Sequence, residues 1–211
     1  MGETPMIIEV RTYQLKPGSL PEVEKRFGEA LPGREKLSKL GAFWHTEVGP
    51  LNEITHIWPY ESLEQRSTIR AEAVKSGVWP PKTHEFIVAM QSEIFLPAPF
   101  SPPLEPRVVG PLFEMRSYTY APGALPGVIE KWGQAVDARV KLSPLIGAWY
   151  TELGGLNKWL HIWAYKDAVE RQRVCAEAVA QGIWPPPSAG PGLLLKQENK
   201  LVMPASFSPL R

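Results

Sequence analysis

The sequence predicts an α+β protein built from two βαββαβ modules, each a four-stranded antiparallel sheet with both helices on one face, packed sheet to sheet. Three observations predict it. The chain repeats itself at a constant offset, each copy runs through strand-period and helix-period segments in the same order, and the sheet face that two helices leave bare is too apolar for water.

The repeat decides how the rest is read. Glu9-Val-Arg11-Thr-Tyr13 returns as Glu114-Met-Arg116-Ser-Tyr118, an offset of 105. The same offset carries Pro17-Gly18 to Pro122-Gly123 and Trp44 to Trp149. It carries Glu47-Val-Gly49-Pro-Leu51-Asn52 to Glu152-Leu-Gly154-Gly-Leu156-Asn157, and His56-Ile57-Trp58-Pro-Tyr60 to His161-Ile162-Trp163-Ala-Tyr165. It also carries Ala71-Glu72-Ala73-Val74 and Trp79-Pro80-Pro81 to Ala176-Glu177-Ala178-Val179 and Trp184-Pro185-Pro186. Two added residues then raise the offset to 107, at which Pro97-Ala98-Pro99-Phe100-Ser101-Pro102 matches Pro204-Ala205-Ser206-Phe207-Ser208-Pro209. The modules are therefore placed at 6–104 and 111–211, each with a Pro-rich tail. Because the tail motif recurs where nothing is left to link, it is expected to be ordered in both copies.

Each element can be tested in both copies. Residues 6–15 alternate as a strand, with Ile8 and Val10 on one face and Glu9, Arg11 and Tyr13 on the other. After Pro17-Gly18, Leu20, Val23, Phe27, Leu31, Leu37 and Leu40 follow helical spacing, as do Leu125, Val128, Ile129, Trp132, Val136 and Leu142. Pro32-Gly33 is expected to break or kink the first of these helices, whereas Asp137-Ala138 leaves the second continuous. Residues 42–48 and 54–60 are strands joined by a Gly-Pro-Leu-Asn hairpin. Ser62 with Gln65, and Asp167 with Glu170, predict N-terminal caps of a second helix, which ends at a left-handed Gly77 or Gly182. Residues 86–96 and 193–203 close each copy, giving a ferredoxin-like order. The bare sheet faces, carrying Glu9, Arg11, Tyr13, His56, Trp58 and Tyr60 in one copy, are expected to meet as in an isologous dimer.

Bulk properties exclude several function classes. A net charge of +1 with interleaved signs makes no case for nucleic acid. No apolar run approaches the ~18 residues of a membrane span, so no membrane insertion is expected. Residues 1–6 lack the regions of a signal peptide, and Met6 stands where myristoylation wants Ser or Thr. A single cysteine, Cys175, suits a reducing compartment, and a cytoplasmic location is expected.

These motifs resemble the NIPSNAP family of the dimeric α+β barrel superfamily. The resemblance rests on Glu-x-Arg-x-Tyr before Pro-Gly, on Trp-x-x-Glu-x-Gly-x-Leu-Asn, on His-x-Trp-x-Tyr, and on Arg66 and Arg171 opening the second helix of each copy. It covers nearly the whole chain. It implies ferredoxin-like modules paired into one barrel, here within one chain as a pseudo-dimer. For the family it implies a general link to vesicle or mitochondrial biology in animals. The wider superfamily adds cofactor-free monooxygenases, isomerases and haem enzymes as precedents, although fold does not give function.

The candidate ligand-binding set is the polar-aromatic face: Glu9, Arg11, Tyr13, Trp44, His45, His56, Trp58 and Tyr60, with Glu114, Arg116, Tyr118, Trp149, His161, Trp163 and Tyr165. Trp and Tyr supply apolar walls, Arg anchors an anion or carbonyl, and His or Glu accepts a proton. The competing reading is that the aromatics fill the barrel and Glu pairs with Arg, and retention of these residues in both copies favours it. If these charges are buried and paired, removing Arg11 or Arg116 should cost about 3–5 kcal/mol, and equal losses would support the pseudo-symmetric interface.

His45, His56, His84 and His161 show no ligand spacing, so no metal site and no cofactor is expected. Cys175, in place of Arg70, reads as a small packing residue rather than a nucleophile. The Trp-Pro-Pro segments read as hydrophobic staples, or alternatively as lids on the barrel mouth. His45 becomes Tyr150 beside the shared Trp44, and His84 faces only a Pro-Gly-rich insertion. This divergence places any site in the first copy near His45 or His56. The functional expectation is a small, largely apolar metabolite bound in the barrel cavity. The alternatives are a protein-interaction or assembly module and a cofactor-independent monooxygenase or isomerase. A homo-oligomer of the pseudo-dimer is the expected protein partner.

Overall fold

A computed structural model describes residues 6–186 and 192–211. The amino-terminal expectations, and the insertion around Ala189 opposite His84, lie outside these residues. The first copy runs β1 (Ile7–Leu15), α1 (Leu20–Arg34), β2 (Ala42–Val48), β3 (Glu53–Tyr60), α2 (Leu63–Lys75) and β4 (Ile87–Pro97). The second repeats the order as β5 (Leu112–Tyr120), α3 (Leu125–Arg139), β6 (Leu145–Leu153), β7 (Lys158–Tyr165), α4 (Ala168–Ala180) and β8 (Leu194–Pro204). Among the described residues no helix is long and apolar enough to cross a membrane.

Local chemistry sets the ends of these elements. Ser62 Oγ accepts from the Gln65 N–H at 3.1 Å while the Gln65 amide oxygen takes the Glu61 N–H at 2.8 Å. Asp167 and Glu170 repeat this arrangement at α4. Gly77 and Gly182 follow the helices at φ +71° and +67°, and Asn52 and Asn157 close the hairpins at +56° and +59°. The expected break at Pro32 is not found, since α1 and α3 both have 15 residues and end at equivalent arginines. Pro32 lies in the last turn, so it removes the bond its N–H would make to the Gly28 carbonyl but leaves almost no helix beyond it to be broken. Both helices end at a buried arginine, Arg34 or Arg139, whose guanidinium group reaches across to a tyrosine of the sheet.

All strand pairings are antiparallel, and the order closes on itself as β1-β3-β2-β8-β5-β7-β6-β4. The sheets therefore face each other across a barrel, as expected. They are also joined along both edges, which periodicity could not show. Trp44 pairs with Pro204 on the β2–β8 seam, and its copy Trp149 pairs with Pro97 on the β4–β6 seam. The two seams thus obey one pseudo-two-fold relation. The tails are ordered and exchanged between copies. Phe100 packs on Trp159 and fits over Gly133, while Phe207 packs on Phe43 and fits over Gly28.

The barrel interior holds Ile8, Val10, Trp44, Ile57 and Phe95 from the first copy against Phe113, Met115, Trp149, Leu160 and Ile162 from the second. This corrects which strand residues were expected to point into the barrel. Ile8 and Val10 point into the barrel, and Glu9, Arg11 and Tyr13 point at the helices. β1 is buried on both faces, so its alternation distinguishes two faces without saying which one the helices cover. Side chains fill one end of the barrel. The other end is a recess of about 490 Å³ lined by Thr12, Glu53, Glu93, Lys158 and Lys200, among others.

Candidate functional site

The predicted residues divide between the two sides of the sheet. Trp44 and Trp149 face the barrel, where Trp44 stacks on Phe113 at 4.7 Å. The remaining members of the set lie on the helix side. His45 accordingly does not enter the barrel: it bonds Glu24 of α1 at 2.7 Å, and this bond raises its pKa.

In the first copy, β1 sets Glu9 beside Trp58, and Arg11 beside His56, in register with β3. Glu9 is fully buried and accepts from Arg11 Nη1 at 2.8 Å, Arg66 Nη2 at 2.5 Å and Ser92 Oγ at 2.7 Å. Burial opposes its ionisation, but the bonds from Arg66 and Ser92 and the charge of Arg11 hold the carboxyl at about 2. Arg11 Nε also donates to Tyr13 Oη at 2.8 Å. Trp58 Nε1 donates to His56 Nδ1 at 2.7 Å, which puts the imidazole proton on Nε2. Burial, then the charge of Arg11, pushes His56 down to about 3, so it stays neutral. Arg34 lies over Trp58 at 4.4 Å and donates to Tyr60 Oη at 2.9 Å.

The second copy keeps this frame. Glu114 accepts from Arg171 Nη2 at 2.5 Å and Asn199 Nδ2 at 2.9 Å. Trp163 Nε1 donates to His161 Nδ1 at 2.9 Å, and burial with the charge of Arg116 holds His161 well below its usual pKa. Arg139 lies over Trp163 at 4.1 Å and donates to Tyr165 Oη at 3.0 Å.

Two substitutions change what the frame encloses. Gln197 replaces Met90 and hydrogen-bonds Tyr118, the hydroxyl that Arg11 holds in the first copy. Arg116 is thereby released: Nε stands 3.2 Å from Glu114 without a hydrogen bond, and the side chain is 28% exposed against 11% for Arg11. Cys175 replaces Arg70, which in the first copy reaches within 4.0 Å of Glu9. A long cation is exchanged for a small thiol on the inner side of α4.

The result is a cleft of about 600 Å³ between the second sheet, α3 and α4. It is lined by Arg116, Tyr118, Trp132, Arg139, His161, Trp163, Tyr165, Arg171, Cys175, Trp184 and Gln197, among others. Trp184 meets Trp132 edge to face at 4.4 Å and Trp163 at 5.6 Å. The Trp-Pro-Pro segment is thus a wall of this cleft rather than a lid on the barrel. The sequence places any site in the first copy near His45 or His56, whereas this cleft opens in the second copy, beside the positions 70/175 and 90/197 at which the copies diverge. Sequence reading missed Arg139, Trp132 and Gln197. An arginine at the foot of the apolar stripe, Arg34 after Phe27 and Leu31, was the available signal.

A barrel closed from two ferredoxin-like halves, with a polar-aromatic layer under each helix pair, defines the dimeric α+β barrel class. The chain belongs to the NIPSNAP family, whose model matches residues 8–102 and again 113–209. Mouse Protein NipSnap homolog 3B is 30% identical over 224 residues, covering 96% of this chain and 85% of the relative. Human Protein NipSnap homolog 3A is 29% identical over 220 residues with the same coverage. A solved structure from Fusobacterium nucleatum, described as a putative monooxygenase, has TM-score 0.67 over 97% of this chain and 94% of that one. At 9% identity that likeness shows the fold alone.

Proposed function

We propose that the chain binds a small, largely apolar molecule, and that the site is the helix–sheet cleft of the second copy rather than the barrel interior. The observation that carries this reading is the opening of about 600 Å³ where Cys175 stands in place of Arg70. That volume suits a small-molecule site, and aromatic walls with a few convergent polar groups are the chemistry of one. The barrel supports the reading less, because its apolar end is filled and four charged groups of its recess, Glu53, Glu93, Lys158 and Lys200, are paired with each other.

Native and denaturing mass spectra of the purified chain test this. The expected result is a small non-covalent adduct on the wild type that is lost in Cys175→Arg, with both proteins giving the same far-ultraviolet circular dichroism. An adduct retained in Cys175→Arg would move the site elsewhere. No adduct on either protein, together with Cys175 alkylated by iodoacetamide as slowly as a buried thiol, would mean that the cleft is closed in solution.

A further inference from the structure

Resting on that reading, we infer that the molecule is a planar aromatic acid, its anionic group held by Arg116 and its ring lying among Trp132, Trp163 and Trp184. The charge count comes first. Arg116, Arg139 and Arg171 line the cleft, and no described lining residue is Asp or Glu. Glu114, behind the lining, accepts from Arg171, and Arg139 is bonded only to neutral hydroxyls. Arg116 is left without a hydrogen bond at the cleft wall, although its copy Arg11 has both a carboxylate and a phenol. The ion pair of Arg116 with the shared Glu114, 3.2 Å from Nε, leaves the two terminal nitrogens unmatched, and a carboxylate matches that fork in two parallel bonds.

A second donor lies in the wall of the same cleft. His161 is fully buried and lines the cleft, with Nδ1 occupied by Trp163 and Nε2 unpartnered. Its tautomer puts an N–H there, which suits an oxygen acceptor. The body of the ligand follows from the walls. Trp184 stands at about a right angle to Trp132 and Trp163, 82° and 78°, which makes a corner of ring edges and faces. Such a corner prefers a flat ring to a flexible chain.

Cys175 is the chain's one cysteine and lines this cleft, so its alkylation by iodoacetamide reports occupancy. The probes are 2-naphthoate, its neutral isostere 2-naphthamide, and octanoate, which has the same head on a flexible chain. The expected result is that 2-naphthoate slows alkylation roughly tenfold or more where the other two have little effect, the margin a charge-assisted hydrogen bond supplies. Arg116→Met should abolish the naphthoate effect and Arg116→Lys should restore part of it. Equal protection by 2-naphthamide overturns the anionic group and leaves the cleft reading standing. Equal protection by octanoate overturns the aromatic body. Protection by none of the three overturns the whole inference, while the cleft reading is then judged on the native mass spectra alone.

Discussion

Arg11 donates to Glu9 and Tyr13, whereas Arg116 touches Glu114 only through an unbonded Nε. The two differ because position 90/197, far away in sequence, decides which group holds the tyrosine. Arg11→Met removes two buried hydrogen bonds but leaves Glu9 with Arg66 and Ser92, so it should cost about 2–3 kcal/mol, below the full loss for a buried pair. Arg116→Met should cost under ~1 kcal/mol, the range of a partly exposed pair. Urea melts of the two variants compare them, and equal losses would contradict the release of Arg116. The neutral histidines add a pH dependence. His56 is neutral in the fold down to about 3, while in the unfolded chain it protonates near 6.5. The unfolded state therefore binds the extra proton, and stability falls as pH drops below 6.5, by about 2 kcal/mol at pH 5. His56→Gln should make that limb shallower by about this amount between pH 6.5 and 4.5, and the part due to His161 should remain. Below it, loss of the Glu9 charge continues the decline toward pH 2.

At the scale of elements, caps, hairpins and strand order were legible because each rests on local chemistry present twice, such as Ser62 with Gln65 and Asn52 after Leu51. The facing of β1 was not, since Ile8 and Glu9 are both buried and only the cross-barrel partners distinguish them. The tails were readable as ordered, but not as exchanged. Ser208 Oγ accepts from the Phe43 N–H at 3.0 Å and donates to the Leu210 carbonyl at 2.9 Å, and Trp44 Nε1 bonds the same carbonyl. Here the carboxyl-terminal segment of the second copy finishes the edge of the first. Ser208→Ala leaves a buried backbone N–H unpaired and should cost about 1–3 kcal/mol. Exposed Ser206→Ala should be neutral, and thermal melts of the two separate a structural tail from a loose one.

At the scale of the whole molecule, the copies are joined by ion pairs whose signs are exchanged across the pseudo-two-fold. Lys200 of the second copy reaches Glu53 of the first at 2.5 Å, and Lys158 of the second reaches Glu93 of the first at 2.5 Å. By the repeat offsets, Glu53 corresponds to Lys158 and Glu93 to Lys200. Both acids therefore belong to the first copy and both bases to the second. Two first copies pairing by the same seams would set Glu against Glu, and two second copies Lys against Lys, at side chains only 13–23% exposed. The exchange was visible in the sequence as two divergent positions, yet it acquires meaning only once the seams are known. It favours union of unlike copies. Changing Glu53 and Glu93 together to Lys creates two like-charge contacts and should lower the Tm by roughly 5–10 °C, taking about 1–2 kcal/mol per seam. Changing Lys158 and Lys200 together to Glu should do the same. The chain carrying all four changes restores opposite charges with their signs reversed, so its Tm should return to within about 3 °C of wild type. A four-fold variant that loses the sum of the two pairs would show that each charge answers to its own copy and not to the seam.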